Sequence, residues 1–178
     1  MIKTIGHSTH SIERFVELLK NGGVALLIDV RSTPWSRRHP QFGKERLAKR
    51  LEAQGIGYAW EGAALGGKGD AYNTVATRAS FTEALDRVIE RANTTTVCLM
   101  CAEKEPLDCH RTVLVSRRLA ERGVAVEHLL ADGGTRPHRA IEETLLAKAG
   151  GGDLFDDRAQ LLARAYDARE RAMKGGTA

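Results

Sequence analysis

The sequence predicts an α/β fold: a single domain with a mostly parallel sheet covered by helices on both faces, plus a peripheral C-terminal helix. Two patterns lead there. Val24–Val30 and Thr95–Cys101 are almost unbroken apolar runs of strand length, as strands buried on both faces require. Between such runs lie stretches of about ten to fifteen residues with apolar positions at helical spacing, and this alternation builds parallel sheets. At 178 residues the chain buries about 70% of its unfolded surface by area scaling, so its core needs no disulfide or metal support. Its 42% apolar and 28% charged residues exclude a disordered, collagen-like or disulfide-scaffold protein.

Residues 2–6 read as the first strand. Ser11 caps a helix whose Ile12, Phe15, Val16 and Leu19 share one face, and Gly22-Gly23 ends it before the second strand. Pro34 and Pro40 bracket a loop ahead of a helix at 43–54, which stops at Gly55. A short strand near 56–60 leads into the glycine-rich loop Gly62–Gly69. Ser80 and Glu83 have the spacing of a capping box for a helix with Leu85, Val88 and Ile89 on one face. After the Thr95–Cys101 strand, Asp108 is placed to cap a helix from Cys109 to Arg122, closed by Gly123. Val124–Leu130 is a further strand, Pro137 suits a helix start, and 153–173 read as a charged helix after the Gly150-Gly151-Gly152 hinge. The expected division is an α/β domain over 1–150 and a helical extension over 151–178.

The net charge is +4, yet residues 1–50 alone carry ten Lys/Arg against four acids, a local excess of +6. A concentrated patch is what meets a phosphate. Lys44, Arg46, Lys49 and Arg50 read as a solvated helix face, whereas Arg31, Arg37 and Arg38 follow a strand. No uncharged apolar run approaches ~18 residues, so no membrane-spanning helix is expected. Three cysteines, an odd number, and a strand-like start without a secretory leader point to reduced thiols in the cytoplasm.

In parallel sheets the ligand crevice lies beyond the carboxyl ends of the strands. Just past those ends stand His7-Ser8-Thr9-His10, then Asp29, Arg31, Ser32, Arg37 and Arg38, then Cys101, Glu103 and Lys104, with Asp108-Cys109-His110-Arg111 following, and finally Asp132 and Arg136. The Gly6–Thr9 turn and the Cys109–Arg111 helix start both suit an anion, although hydroxyls at a helix start also serve as simple caps. Cys109 beside His110 and Arg111 is set for thiolate character, or else for packing, as is Cys101; alternation puts Cys98 in the core. Cys101, Cys109 and His110, with His7 or Glu103, are zinc-ligand types. Their Cys-x7-Cys-His spacing is not that of a zinc finger, and adjacent residues diverge on a helix, so neither a metal nor another cofactor is expected. Trp35 and Phe42 flank the Arg37-Arg38 loop, and Tyr58, Trp60 and Tyr72 flank the glycine loop, where rings suit a base as well as packing.

The motifs Thr4-Ile-Gly-His-Ser-Thr-His10, Ile28-Asp-Val-Arg-Ser32, Ser36-Arg-Arg38 with Pro40-Gln-Phe42, Leu65-Gly-Gly67, Leu99-Met-Cys-Ala-Glu103 and Asp108-Cys-His-Arg111 occur in that order. Together they resemble the bacterial and archaeal "domain of unknown function" family 488 up to about residue 130. The resemblance implies an α/β fold with these motifs at one site, and no particular reaction. The Gly69-Asp70-Ala71 segment is shorter than the loop expected in relatives.

The leading functional expectation is an enzyme acting on a phosphate-bearing nucleotide or on nucleic acid. Ser8, Thr9, Arg31, Arg37, Arg38 and Arg111 would hold phosphate, with Ser32, Phe42 and His110 completing the binding set. Glu103 or Asp29, assisted by His7, would do acid–base work, and Cys101 or Cys109 would be nucleophile or lining. A second reading is rhodanese- or phosphatase-like thiol chemistry, for which the stretch from Cys101 to Arg111 is too long to form the usual anion cradle unless Cys109 is the thiol. A third is a non-catalytic nucleic-acid-binding module.

Overall fold

The computed structural model describes residues 1–150 and 157–175. Residues 151 and 152 of the expected hinge, and the expected helix start at 153–156, lie outside the described residues. Five strands alternate with helices: β1 (Ile2–Gly6), α1 (Ile12–Asn21), β2 (Leu26–Asp29), α2 (Lys44–Glu52), β3 (Gly57–Trp60), α3 (Gly62–Leu65), α4 (Tyr72–Ala76), α5 (Ala79–Thr94), β4 (Val97–Cys101), α6 (Arg117–Glu121) and β5 (Val126–Leu129). β6 (Thr135–Pro137), α7 (His138–Lys148) and α8 (Arg158–Gly175) follow. The sheet order is β3-β2-β4-β1-β5-β6, parallel from β3 to β5, with β6 antiparallel at the edge.

Strand alternation divides the core. Ile5, Leu27, Cys98 and Met100 meet Phe15 and Leu19 of α1 and Leu47 and Leu51 of α2 on one face. Ile2, Ile28, Val97, Leu99 and Cys101 meet Leu85 and Val88 of α5, with α7 and α8 farther along, on the other. The chain therefore leaves β1 toward one face and β4 toward the opposite face, although the two strands are neighbours. That divergence is a topological switch point, where a crevice opens at the carboxyl edge.

Three local expectations give way to other structures. The Cys109–Arg122 helix capped by Asp108 is replaced by a 3-10 turn at Pro106–Asp108, an extended Cys109 (φ −136°, ψ 139°) and a π-helical turn at Arg111–Ser116 before α6. Pro106 fixes the first turn, and the buried Arg111 draws its backbone toward the loop it holds. α5 starts at Ala79 without a side-chain cap, so Ser80 and Glu83 form no capping box. Asp132 and Arg136 do not reach the crevice, because β6 turns back along β5 and Arg136 instead bonds Ala140 and Thr144 of α7.

The α8 helix docks through Ala165 and Tyr166, both buried in the α5-side core. Tyr166 also ends a buried polar chain. Thr4 Oγ1 lies 2.7 Å from His128 Nδ1, His128 Nε2 is 3.0 Å from His138 Nδ1, and His138 Nε2 is 3.0 Å from the Tyr166 hydroxyl, which donates to Glu142 at 3.2 Å. Each hydrogen bond can run in one direction only if both imidazoles are neutral. Burial enforces that state, holding His138 at about 4 rather than 6.5 and His128 well below its ordinary value.

Because the unfolded chain takes up these protons first, stability is complete above pH 6.5 and falls as the pH drops through 4. The expected loss from His138 alone is about 3 kcal/mol. Urea unfolding at pH 7.5 and pH 4.5 measures it, and His138→Gln should flatten part of the slope; an unfolding free energy constant across this range contradicts the account.

Candidate functional site

The parallel register levels the strand ends: Gly6 pairs with Cys101, and Asp29 with both Met100 and Trp60. Beyond them lies an open cavity of about 790 Å³, within the range of small-ligand sites. Its lining takes His7, Ser8 and Thr9 from the β1 end, residues 31–33 and 35–39 from the β2 loop, Gly67 and Lys68 from the loop after α3, and Cys101–Lys104, Asp108 and His110 from the β4 end, with Tyr72 and Met173 at one side.

Of the residues expected from the sequence, His7, Ser8, Thr9, Arg31, Ser32, Arg37, Arg38, Cys101, Glu103 and His110 line this cavity together. Asp29, Phe42, Cys109 and Arg111 stand behind its wall. Asp29 is fully buried and engaged. It accepts Arg31 Nε at 2.9 Å, Arg31 Nη2 at 2.6 Å, the Arg31 backbone N–H at 3.0 Å and the Tyr58 hydroxyl at 2.8 Å. An acid so occupied positions Arg31 and has no oxygen facing the cavity. Burial alone would lower the Arg31 value, but the Asp29 carboxylate outweighs it and keeps the guanidinium charged.

Arg111, expected to hold phosphate, is not among the cavity-lining residues. It has no exposed surface, and its Nη1 and Nη2 donate to the backbone carbonyls of Glu103 (2.5 Å) and Lys104 (3.0 Å). The backbone it holds passes so close to β1 that a Cβ on Gly6 would overlap the Glu103 carbonyl oxygen. Phe42, fully buried, stacks on the His7 ring at 4.3 Å. Burial leaves His7 neutral, at about 4 instead of 6.5, with Nδ1 donating to the Ser8 carbonyl and Nε2 accepting from Arg31 Nη1 at 3.3 Å.

The β1 turn differs from the expected anion cradle. The His7 and Ser8 amides donate to the Cys101 and Ala102 carbonyls, and α1 begins only at Ile12, capped by Ser11. Ser8 adopts a left-handed φ of 47° to make that bend. Ser8 and Thr9 thus offer side chains rather than a ring of free N–H groups.

The deep end of the cavity is a cluster of soft ligand types. Glu103 Oε2 lies 3.0 Å from Cys101 Sγ and 2.8 Å from Cys109 Sγ, and His110 Nδ1 is 3.4 Å from Cys101 Sγ and 4.0 Å from Cys109 Sγ. His110 Nε2 donates to the Val30 carbonyl at 2.9 Å. Cys109 is extended and His110 helical (φ −60°, ψ −26°), so the two are not successive positions of one regular helix as expected from the sequence, and Cys109 Sγ lies 4.0 Å from His110 Nδ1. Burial drives the Cys101 thiol well up, with Cys109 and Glu103 adding to it. Against its own burial Cys109 is pulled well down by a hydrogen bond with Cys101 and by Arg111. Glu103 is raised by burial and by Cys109.

His39, Lys68 and Met173 also line the cavity. The strand-end rule reaches Lys68, which follows β3. Nothing in the local sequence announces Met173, which arrives on α8 from far along the chain.

A family model for the domain of unknown function DUF488 matches residues 11–118, more than half of the chain. The protein belongs to that family. No curated protein and no solved structure matches it. The DUF488 span contains the whole cavity lining except His7, Ser8, Thr9 and Met173.

The Asp29–Arg31 pair gives a direct test of positioning. Asp29→Asn strands a buried guanidinium and should cost about 3–5 kcal/mol in urea unfolding. A double Asp29→Leu, Arg31→Met variant should recover most of that loss; equal stability of Asp29→Asn and wild type rules the role out.

Proposed function

We propose that the protein is an enzyme, a hydrolase or transferase, acting on a phosphate-bearing nucleotide, free or within a nucleic acid, held in the cleft at the β1–β4 switch point. The observation that carries this reading is the state of the cations at the cavity wall. Arg37, Arg38 and Lys104 line it and form no ion pair among the described residues. Elsewhere Arg14, Arg78, Arg87, Arg117, Arg118 and Arg122 are paired with carboxylates, while Arg46, Arg91, Arg139 and Arg171 form no ion pair among the described residues. What sets Arg37, Arg38 and Lys104 apart is that they share one concave wall. Unpaired guanidinium groups at one concave surface suit bidentate contacts to phosphate.

Trp35 supports the same reading. It is 59% exposed, lies on the cavity wall and has Arg37 5.9 Å from its ring centroid. A large exposed ring beside cations is a stacking platform for a base. In this reading phosphate rests on Arg37, Arg38 and Lys104, the base meets Trp35, and the reacting bond lies over Cys101, Glu103 and His110. Among the described residues no helix is long and apolar enough to cross a membrane. Three free thiols favour a cytoplasmic setting.

Quenching of tryptophan fluorescence by a nucleoside triphosphate and by a short single-stranded oligonucleotide tests the proposal. The Arg37→Ala, Arg38→Ala double variant should bind about tenfold or more weaker at unchanged stability. Unaltered affinity, or no binding of either probe at millimolar concentration, overturns it. A non-catalytic binding module would bind the oligonucleotide with steep salt dependence and turn over neither probe.

A further inference from the structure

We infer that Cys101, Cys109, His110 and Glu103 form a site for one thiophilic divalent cation of the zinc class, set in the deep wall of the cleft. The four ligand atoms all lie within 4.8 Å of one another. Tetrahedral coordination with bonds of ~2.0–2.3 Å places ligand atoms about 3.3–3.8 Å apart. Four of the six separations are 2.8, 3.0, 3.4 and 4.0 Å and none exceeds 4.8 Å, so they straddle that range, and side-chain shifts of about 1 Å or less bring all four onto one ion.

The surroundings are those of a ligand set. A metal-bound histidine donates its second ring N–H to a carbonyl or carboxylate, which fixes the tautomer and turns the other nitrogen's lone pair to the ion. The His110 Nε2–Val30 contact of 2.9 Å does this and aims Nδ1 at both sulfurs. Gly67 leaves room for that ring: a Cβ there would press on His110 Cβ and Cγ. The Arg111 backbone N–H points at Cys109 Sγ at 3.4 Å, while its guanidinium pins the loop carrying Glu103. Of the two objections the sequence raised, divergence of adjacent residues on a helix does not apply, since the backbone passes from extended at Cys109 to helical at His110. The spacing stays unlike that of a zinc finger, and the four ligands are brought together by the fold.

Two sulfurs and an imidazole select zinc-class ions over magnesium or calcium. Cys101, Cys109 and His110 are buried, whereas Glu103 reaches the cluster from the solvent side. Three buried ligands and one carboxylate reaching in from a residue on the solvent side make a site whose fourth position can pass to water or to a ligand in the cleft. This inference does not rest on the phosphate-binding reading, since its ligands are distinct from the Arg37, Arg38 and Lys104 wall.

The test is metal analysis of the untagged full-length chain and cobalt reconstitution after chelation. The wild-type protein should take up about one equivalent of zinc or cobalt, with thiolate-to-cobalt charge-transfer and tetrahedral visible bands. Cys109→Ser should lower occupancy below about a tenth of an equivalent. Glu103→Gln should keep the ion and shift the visible bands. Because wild type alone supplies the first readout, a misfolded cysteine variant leaves the test intact. Less than about a tenth of an equivalent on wild type, with both thiols free or joined as a disulfide, overturns the site. An unchanged cobalt spectrum in Glu103→Gln overturns the four-ligand assignment. The Arg37→Ala, Arg38→Ala protein should bind a full equivalent of cobalt, so failure of the nucleotide reading leaves this result standing.

Discussion

A fully buried guanidinium, that of Arg111, sets the geometry of the carboxyl edge. Its two Nη groups hold the Glu103 and Lys104 carbonyls, and those carbonyls are the turning point of the loop between β4 and the π-helical turn. A buried charge is tolerated where its donors are satisfied, and backbone carbonyls meet most of that need while Nε remains without a partner. The loop then presses on β1 so closely that Gly6 can carry no side chain. His7 and Ser8 complete the seam by donating to the carbonyls of Cys101 and Ala102. One cation, one glycine and two amides thus fix the distance between the β1 and β4 ends, and with it the width of the cleft.

The arginines of this chain divide by burial. Arg31 and Arg111 are spent inside, the first on Asp29 and the Phe42 carbonyl, the second on the β4 loop. Arg37 and Arg38 stand outside with their charge uncommitted. The inner pair builds the floor that the outer pair overhangs, so cationic side chains close in sequence do different physical work. His7 belongs with the inner group, clamped between the Phe42 ring and Arg31.

Much of this was legible in the sequence because it follows from short-range pattern. Buried strands declared themselves as continuous apolar runs, and the rule that ligands sit past their ends pointed to the loops after β1, β2 and β4. What escaped depended on tertiary partners. Asp29 and Arg31 are two residues apart on an extended chain, and only the fold shows that each consumes the other. Cys109 and His110 read as successive residues of one helix, whereas the chain passes from a 3-10 turn at Pro106 through an extended Cys109 to a helical His110, a break that no local pattern announces. The antiparallel β6 is three residues long, too short to show a period of its own.

The last helix ties parts of the molecule that the sheet leaves separate. Arg169 donates to the Leu107 carbonyl and pairs with Asp108, Glu170 receives the Tyr72 amide, and Met173 forms part of the cavity lining. A chain shortened before α8 would keep every strand of its sheet and still lose one side of its opening. The α8 segment therefore works as a buttress, and the shape presented to a visiting molecule is decided in part by residues more than sixty positions along the chain from the β4 loop they brace.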